Sequence, residues 1–361
     1  MLQRIFVCLI CVLVPILAAL PASADMRLGI IAPEEGAFEP LGRQVLQALS
    51  VFGEINETAF ADMVLAPEGC EEGAGAEAAV SMVEAGVDMV IGFFCPETIV
   101  EAAPILAASN IAAMTIAVRS EIVMEEPRER GWPFFRIAPQ ANDEIEVIVD
   151  TIMRRWSGEA FALIEDGTIY GRETVEAVRL ALEELGVQPI FVDNFRPAQE
   201  KQFGLVRRLR RADATHVFVG GDRSDVAIIA SNAREIGFDM QWMGGSPLLA
   251  ADGDTPLPDG VMAIIASAES QEPRALDVAQ AFEARGFASG GYALAAYAAI
   301  EIAATAIQLS ERDEEPVSIV LERETFHTVL GPIRFDDDHE RTGNQYRATI
   351  WQDGLFQALD P

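Results

Sequence analysis

The residues best suited to bind a ligand lie where a predicted buried strand runs into a helix. The apolar run at residues 89–94 has strand length, and Cys95 and Pro96 follow it; proline suits the first helical position because its missing N–H would be unpaired there. Such a corner exposes backbone N–H groups and the positive end of a helix, which suit an anionic or polar ligand atom. Pro96, Glu97 and Thr98 are therefore candidate contacts. An ordinary turn without a ligand is the open alternative.

A further candidate stands after the next predicted strand, at residues 111–118. Arg119 follows this strand, and an arginine can grip a carboxylate through two parallel hydrogen bonds. We place Arg119 first among the ligand contacts, with Ala117 beside it. Two alternatives stay open for Arg119, a surface position and an ion pair with Glu121. Phe38, in the turn after the first predicted strand, faces the same edge of the sheet and joins the candidates.

No catalytic or metal-binding pattern is found in the sequence. It contains no Gly-x-Ser-x-Gly segment, no phosphate loop with a lysine, and no motif that places a histidine beside a serine or cysteine. The three histidines are far apart and share no zinc-site spacing with the cysteines. Paired acids are too frequent in this chain to indicate glycoside hydrolysis. We expect no enzyme activity, no metal ion and no other cofactor.

The N-terminus has the three parts of a secretory signal peptide. Arg4 supplies the positive charge, residues 5–20 are apolar, and small residues occupy positions 22–24. We predict a signal peptide at residues 1–24, its cleavage before Asp25, and a periplasmic mature chain; an uncleaved membrane anchor is the alternative. No other stretch approaches the roughly 20 apolar residues of a membrane-spanning helix.

Two cysteines remain after the signal peptide is removed, Cys70 and Cys95. An even number of cysteines in an exported chain favours a disulfide bond between them. Two free buried thiols are the alternative.

Length and charge narrow the range of folds and partners. A chain of 361 residues exceeds what one hydrophobic core usually supports, which suggests two domains. The formal net charge of −31 argues against nucleic acid or an anionic membrane as a partner, because both are polyanions.

Strand-length apolar runs alternate with helical patterns along the chain, which is typical of an α/β fold with parallel strands. Two such series follow each other, and the chain closes with a predicted strand at 329–335 and a hairpin over 345–358. We predict two doubly wound parallel-sheet lobes with crossings near 138–141, 266–269 and 336–342. Lobe 1 takes residues 25–138 and 268–337, and lobe 2 takes residues 139–267 and 338–361.

Several segments in this order resemble one family. They are the paired Cys70 and Cys95, VIGFFC at 90–95, IEDGTIYG at 164–171, VFVGG at 217–221, WMG at 242–244, YAA at 297–299 and TVLG at 328–331. Together they resemble the type I periplasmic binding proteins, and most of all the Leu/Ile/Val-binding branch that serves ABC importers. The resemblance covers essentially the whole mature chain.

The resemblance implies two lobes that close like a hinge over a small ligand at the carboxyl ends of their strands. In amino-acid binders of this family, two hydroxyl residues hold the ligand carboxylate and an acid of the second lobe receives its ammonium group. This chain has Pro96 and Arg119 at the hydroxyl positions. The stretch 244–247, which contains the candidate Ser246, has no acid. Tyr170 matches a family tyrosine that lines the cleft, although a packing role would also explain it.

Asp222 stands where the family often has an aromatic residue. It could pair with a cationic group of a ligand or with Arg119, or simply cap the helix that follows. A zwitterionic α-amino acid is therefore not an assured ligand for this chain.

The function implied is that of a monomeric solute-binding protein. It would deliver a small amino-acid-like or organic-acid ligand to the membrane permease of an ABC importer. The alternative is a ligand-sensing module that docks to a sensor or enzyme complex instead of a transporter.

Overall fold

The computed structural model describes residues 26–56, 62–250, 252–266 and 273–359, which form two lobes built on separate β-sheets. The predicted signal peptide at 1–24 lies outside the described residues. The first sheet is parallel throughout, and helices lead from each strand to the next. Its elements are β1 (Arg27–Ala32), α1 (Glu39–Ile55), β2 (Asp62–Pro67), α2 (Ala74–Ala85), β3 (Met89–Gly92), α3 (Pro96–Ala108), β4 (Ala112–Thr115), α4 (Ile122–Arg130) and β5 (Phe134–Arg136). The strand order is β2-β1-β3-β4-β5.

The second lobe repeats this plan. Its elements are α5 (Ala141–Arg155), β6 (Phe161–Glu165), α6 (Ile169–Glu184), β7 (Phe191–Asn194), α7 (Phe203–Arg211), β8 (His216–Gly220), α8 (Arg223–Glu235), β9 (Gln241–Gly244) and β10 (Met262–Ala266). A single 3-10 turn, Ser246–Leu249, follows β9. The strands lie parallel in the order β10-β9-β8-β6-β7.

The chain then returns to the first lobe and finally to the second. The returning elements are α9 (Pro273–Glu283), α10 (Ala293–Asp313), α11 (Val317–Arg323), β11 (Phe326–Thr328) and β12 (Gly331–Ile333). The hairpin of β13 (Tyr346–Gln352) and β14 (Leu355–Ala358) adds antiparallel strands to β10. Apolar residues pack in two clusters for each sheet, so that helices cover both faces as predicted for a doubly wound fold.

Helix α10 corrects one sequence expectation. By length and composition it is apolar enough to cross a membrane, although no second apolar stretch was expected. Its residues Tyr297, Ile300 and Ile302 are fully buried and belong to the core that also contains α1. A helix that is hydrophobic on nearly all sides is also what the centre of a folded lobe requires.

Other differences from the predicted elements are local. Strand β3 ends at Gly92, not at residue 94, because Gly92 and Phe93 have positive φ angles of 124° and 63° that turn the chain. The predicted strand at 329–335 is a turn followed by the short β12.

Two of the crossings between the lobes run side by side and are held together by a buried ion pair. Arg136, at the end of β5, is fully buried and donates to both carboxylate oxygens of Glu340 at 2.7 and 2.6 Å. Its guanidinium also donates to the Ser120 carbonyl at 2.8 Å and to Glu121 at 3.0 Å. The hinge therefore holds the segment that follows β4 and carries Arg119. The crossing predicted near 266–269 falls, after Ala266, outside the described residues.

Candidate functional site

An ion pair joins the two lobes at the predicted ligand cleft. Arg119 follows β4 in lobe 1, and Glu144 lies in the first turn of α5, the first helix of lobe 2. Nη2 of Arg119 donates to Oε2 of Glu144 at 2.6 Å. The Glu144 side chain is 2% exposed and the Arg119 side chain 30%. The alternative that Arg119 pairs with Glu121 is not found, because Glu121 forms its ion pair with Arg136.

The other oxygen of Glu144 collects three further hydrogen bonds. Oε1 accepts from the Tyr170 hydroxyl at 3.0 Å, from the Ser246 N–H at 2.7 Å and from the Ser246 hydroxyl at 2.8 Å. Tyr170 stands in the first turn of α6, and Ser246 opens the turn after β9. Burial, and next the charge of Glu144, raise the pKa of Tyr170 well above its ordinary value, so the phenol keeps its proton and donates.

One aromatic ring lies against the guanidinium, and two further rings form a contact pair in its neighbourhood. The centre of the buried Tyr346 ring lies 5.5 Å from Cζ of Arg119, within cation–π range. Tyr292 is close enough for the charge of Arg119 to oppose the rise in its pKa that burial causes. Phe94 packs edge-on against Tyr292, with ring centroids 5.3 Å apart.

Arg119 remains charged at this place. Burial by itself would lower the pKa of Arg119, but Tyr346 and Glu144 outweigh that effect and raise it. Within the described residues, its Nε is buried and has no hydrogen-bond partner. The guanidinium thus has donor capacity left, while both oxygens of Glu144 are occupied.

The corner between β3 and α3 is filled by a side chain of the protein itself. Glu68, directly after β2, accepts from the N–H of Phe94 at 2.8 and 2.9 Å and from the N–H of Cys95 at 2.9 Å. Burial raises the pKa of Glu68 to about 7, although these donors oppose the rise. The N–H groups predicted to face a ligand are thus taken, and Pro96 has none.

The same corner contains the predicted disulfide. Cys70 and Cys95 are bonded, with their Cα atoms 5.6 Å apart, so the predicted pairing is confirmed. Thr98 is 1% exposed, and its hydroxyl donates to the Gly69 carbonyl at 2.9 Å. That bond fastens α3 to the segment with Cys70, a structural task.

Three of the predicted contacts meet at one place, namely Arg119, Tyr170 and Ser246. Ala117, two residues before Arg119, is half-buried, and its N–H donates to the Thr115 hydroxyl at 3.3 Å. The remaining candidates are not part of this cluster: Pro96 and Glu97 are exposed, Thr98 faces Gly69, Asp222 is exposed before α8 without a capping side-chain bond, and Phe38 is 52% exposed. Ligand binding by any of them stays a prediction.

Four residues of the site were not predicted from the sequence, namely Glu144, Tyr346, Tyr292 and Phe94. Glu144 follows Asp143 at the start of a predicted helix. Acids are favourable in the first turn of almost any helix, so this position gave no sign of a binding role. The aromatic residues are far from Arg119 in the chain, and no local pattern connects them. Among the described residues, no group of His, Cys, Asp or Glu is arranged to hold a metal ion.

Comparison with known proteins agrees with this architecture. Leu/Ile/Val-binding protein homolog 3 of Brucella melitensis is 22% identical over 352 residues, which cover 94% of this chain and 95% of that protein. The structure of a putative branched-chain amino acid ABC transporter from Rhodospirillum rubrum superposes with a TM-score of 0.77 at 17% identity, covering 93% of this chain and 100% of that one.

A third similar protein is a solute binding protein of an ABC transporter from Rhodopseudomonas palustris, in complex with p-hydroxybenzoic acid. It has a TM-score of 0.69 at 12% identity, and the match covers 93% of this chain and 96% of that chain. The predicted resemblance to the Leu/Ile/Val-binding branch is confirmed by these matches. Because the sequence model of the periplasmic binding protein family matches residues 25–354, this chain belongs to that family.

Proposed function

We propose that this chain is the solute-binding protein of an ABC importer. It binds a small amino-acid-like or organic-acid ligand between its lobes and presents it to the membrane permease. It works as a monomer in the periplasm after cleavage of residues 1–24. Neither a nucleic acid nor a cofactor takes part, and the ligand leaves unchanged because the chain catalyses no reaction.

The observation that carries this proposal is the charged Arg119 between the lobes. Two residues of lobe 2 contact its guanidinium, Glu144 by an ion pair and Tyr346 by its ring. Among the described residues, its Nε has no hydrogen-bond partner. A ligand carboxylate at Nε would gain a charge-assisted hydrogen bond, which is stronger than one between neutral groups.

Names of similar proteins support a ligand of this kind. The Brucella melitensis relative is named for leucine, isoleucine and valine, and the Rhodopseudomonas palustris protein was solved with p-hydroxybenzoic acid. A carboxylate is common to all four compounds. The proposed role of Arg119 requires only that group.

The contacts at the crossings connect ligand binding to closure of the two lobes. Arg136 ties two crossings together through Glu340 and holds the Arg119 segment through Ser120 and Glu121. A ligand that contacts both lobes favours the closed arrangement by the difference in its affinity for the two arrangements. Closure would then give the permease a surface that depends on the ligand.

A ligand screen with matched variants tests the proposal. We would measure Tm for three proteins in the presence of a library of amino acids and organic acids. They are wild type, Arg119→Met and the control Arg207→Met, which changes an exposed arginine of α7. A ligand at 100 times its Kd should raise the wild-type and control Tm by roughly 5 °C. We expect Arg119→Met to bind about 100-fold more weakly, because a desolvated charge contact is lost.

Two results would contradict the proposal. One is a library without any stabilising compound, and the other is an Arg119→Met variant that binds as tightly as the control. Crosslinking in the native membrane tests the partner: permease subunits are expected, whereas a sensor kinase would favour the sensing role.

A further inference from the structure

We infer that the Arg119 site selects planar aromatic monocarboxylates and rejects α-amino acids. This inference rests on the proposed function and specifies the ligand class of the same site. It follows from a count of donors and acceptors around one ion pair and from the residues that enclose it.

Burial and existing hydrogen bonds leave Glu144 little room for an ammonium group. Oε1 already accepts three hydrogen bonds, from Tyr170 and twice from Ser246, and Oε2 accepts one from Arg119. The Glu144 side chain is only 2% exposed, so the remaining lone pair of Oε2 is not open to the cleft. An amino-acid ammonium group would have to displace one of these donors in a site that is almost fully buried. Displacement would leave a buried donor unsatisfied, which opposes binding.

Arg119 is in the opposite situation, because it has a donor to spare. Its Nε is buried without a partner among the described residues, although Nη2 is bound to Glu144. A ligand carboxylate satisfies this donor and requires no rearrangement of Glu144. The pair therefore accepts an anion more readily than a cation, because its arginine is 30% exposed and its carboxylate 2%.

One other buried carboxylate oxygen could receive an ammonium group. Oε1 of Glu121 has no partner in the part of the chain that the structure describes, but Oε2 of this carboxylate is bound to Arg136 at 3.0 Å. Arg136 in turn carries Glu340, so this oxygen belongs to the hinge network. A cation there would lie beside a buried guanidinium, which repels it.

The enclosing side chains favour a flat, apolar body on the ligand. Tyr346 stacks near Arg119, Tyr292 lies within reach of its charge, and Phe94 extends the wall by its edge contact with Tyr292. Aromatic side chains contact a ligand ring face-on or edge-on more favourably than a puckered aliphatic ring. A benzoate-type ligand would meet Arg119 with its carboxylate and these rings with its body.

Calorimetry with matched ligand pairs tests the inference. The first pair is 3-phenylpropanoate and L-phenylalanine, which differ by the ammonium group, and we expect the amino acid to bind at least about 100-fold more weakly. The second pair is benzoate and cyclohexanecarboxylate, for which we expect about a fivefold preference for the aromatic ring. In Tyr292→Leu that second preference should fall to about twofold or less.

Variants of Glu144 and Glu121 test whether either carboxylate accepts a ligand ammonium group. Glu144→Gln keeps an oxygen for Tyr170 and Ser246 but turns a donor toward Arg119, so both members of the first pair should lose affinity. Their affinity ratio should stay within about threefold of the wild-type ratio. Tight binding of L-phenylalanine that is lost in Glu144→Gln or Glu121→Gln would overturn the inference, yet it would leave the proposed function intact. If neither member of any pair binds the folded wild-type protein, the inference fails, while the proposed function is still decided by the library screen.

Discussion

Two buried glutamates of the cleft region, Glu68 and Glu144, perform opposite tasks with the same chemical group. Glu68 directly follows strand β2, and Glu144 lies in the first turn of helix α5. Each accepts at least one hydrogen bond from a backbone N–H group. Glu68 is 8% exposed and Glu144 2%. They differ in their other partners: Glu144 also binds a guanidinium of the other lobe, whereas the partners of Glu68 found here, Phe94, Cys95 and Thr98, belong to its own lobe.

The difference separates a structural corner from a binding site. Glu68 closes the β3–α3 corner from within lobe 1, beside a disulfide and a buried threonine that fix the same turn. Glu144 reaches from lobe 2 to Arg119, whose Nε still has no partner in the described parts of the chain. A buried carboxylate without a cation stabilises local geometry, and one with a cation from the other lobe can respond to a ligand.

Removal of the disulfide should have the largest effect on stability. In Cys70→Ala with Cys95→Ala, the unfolded chain regains the freedom of a loop with a sequence separation of 25 residues. We expect the free energy of unfolding to fall by about 3 kcal/mol, measured by denaturant titration. Ligand affinity should stay within about threefold, because the corner is structural. A tenfold loss of affinity would make the corner part of the binding site.

The second-largest effect on stability should come from the titration of Glu68. Its pKa is raised from 4.5 to about 7 in the folded state, so the folded chain binds more protons than the unfolded chain between these values. The stability from this group is complete below pH 4.5 and is lost as the pH rises through about 7. Relative to Glu68→Gln, wild type should lose about 2 to 3 kcal/mol between pH 5 and pH 8.

A matched control keeps that measurement specific to the corner. Glu97→Gln changes an exposed acid at the start of α3, the helix that begins at this corner, and should retain the wild-type pH dependence. Equal slopes in wild type and Glu68→Gln would show that Glu68 binds the same number of protons in the folded and unfolded chains, which would contradict the raised pKa. The comparison uses denaturant unfolding at each pH.

Much of the fold was predictable, because apolar periodicity reports buried faces directly. The missed elements are those in which this signal is weak. Helix α4 is nine residues long and rich in charge, and β5 has only three residues. The lobe boundaries at 138/139, 267/268 and 337/338 stay predictions.

Less of the site was predictable, because it depends on contacts between distant segments. Arg119 could be named because it follows a strand, and Tyr170 because of the segment around it. Glu144 could not, since a first-turn acid looks the same whether it caps a helix or binds an arginine of another lobe. Glu68 was missed for a related reason: nothing local shows that its carboxylate fills a corner 26 residues away.

The smallest predicted effect concerns Gly245, which brings the backbone close to Glu144. A Cβ atom there would overlap the Tyr170 hydroxyl and lie 2.6 Å from Oε1 of Glu144. In Gly245→Ala, we expect the hydrogen bonds of Glu144 to loosen and ligand affinity to fall by about 1 kcal/mol, or roughly fivefold. Gly204→Ala, on α7 of the same lobe, is the control, because a Cβ there has only the tip of an arginine within 4 Å. Calorimetry with the ligand from the screen measures both variants. Unchanged affinity in Gly245→Ala would mean that the site tolerates a shift of Tyr170, and that the hydrogen bonds to Glu144 do not position Arg119 for its ligand.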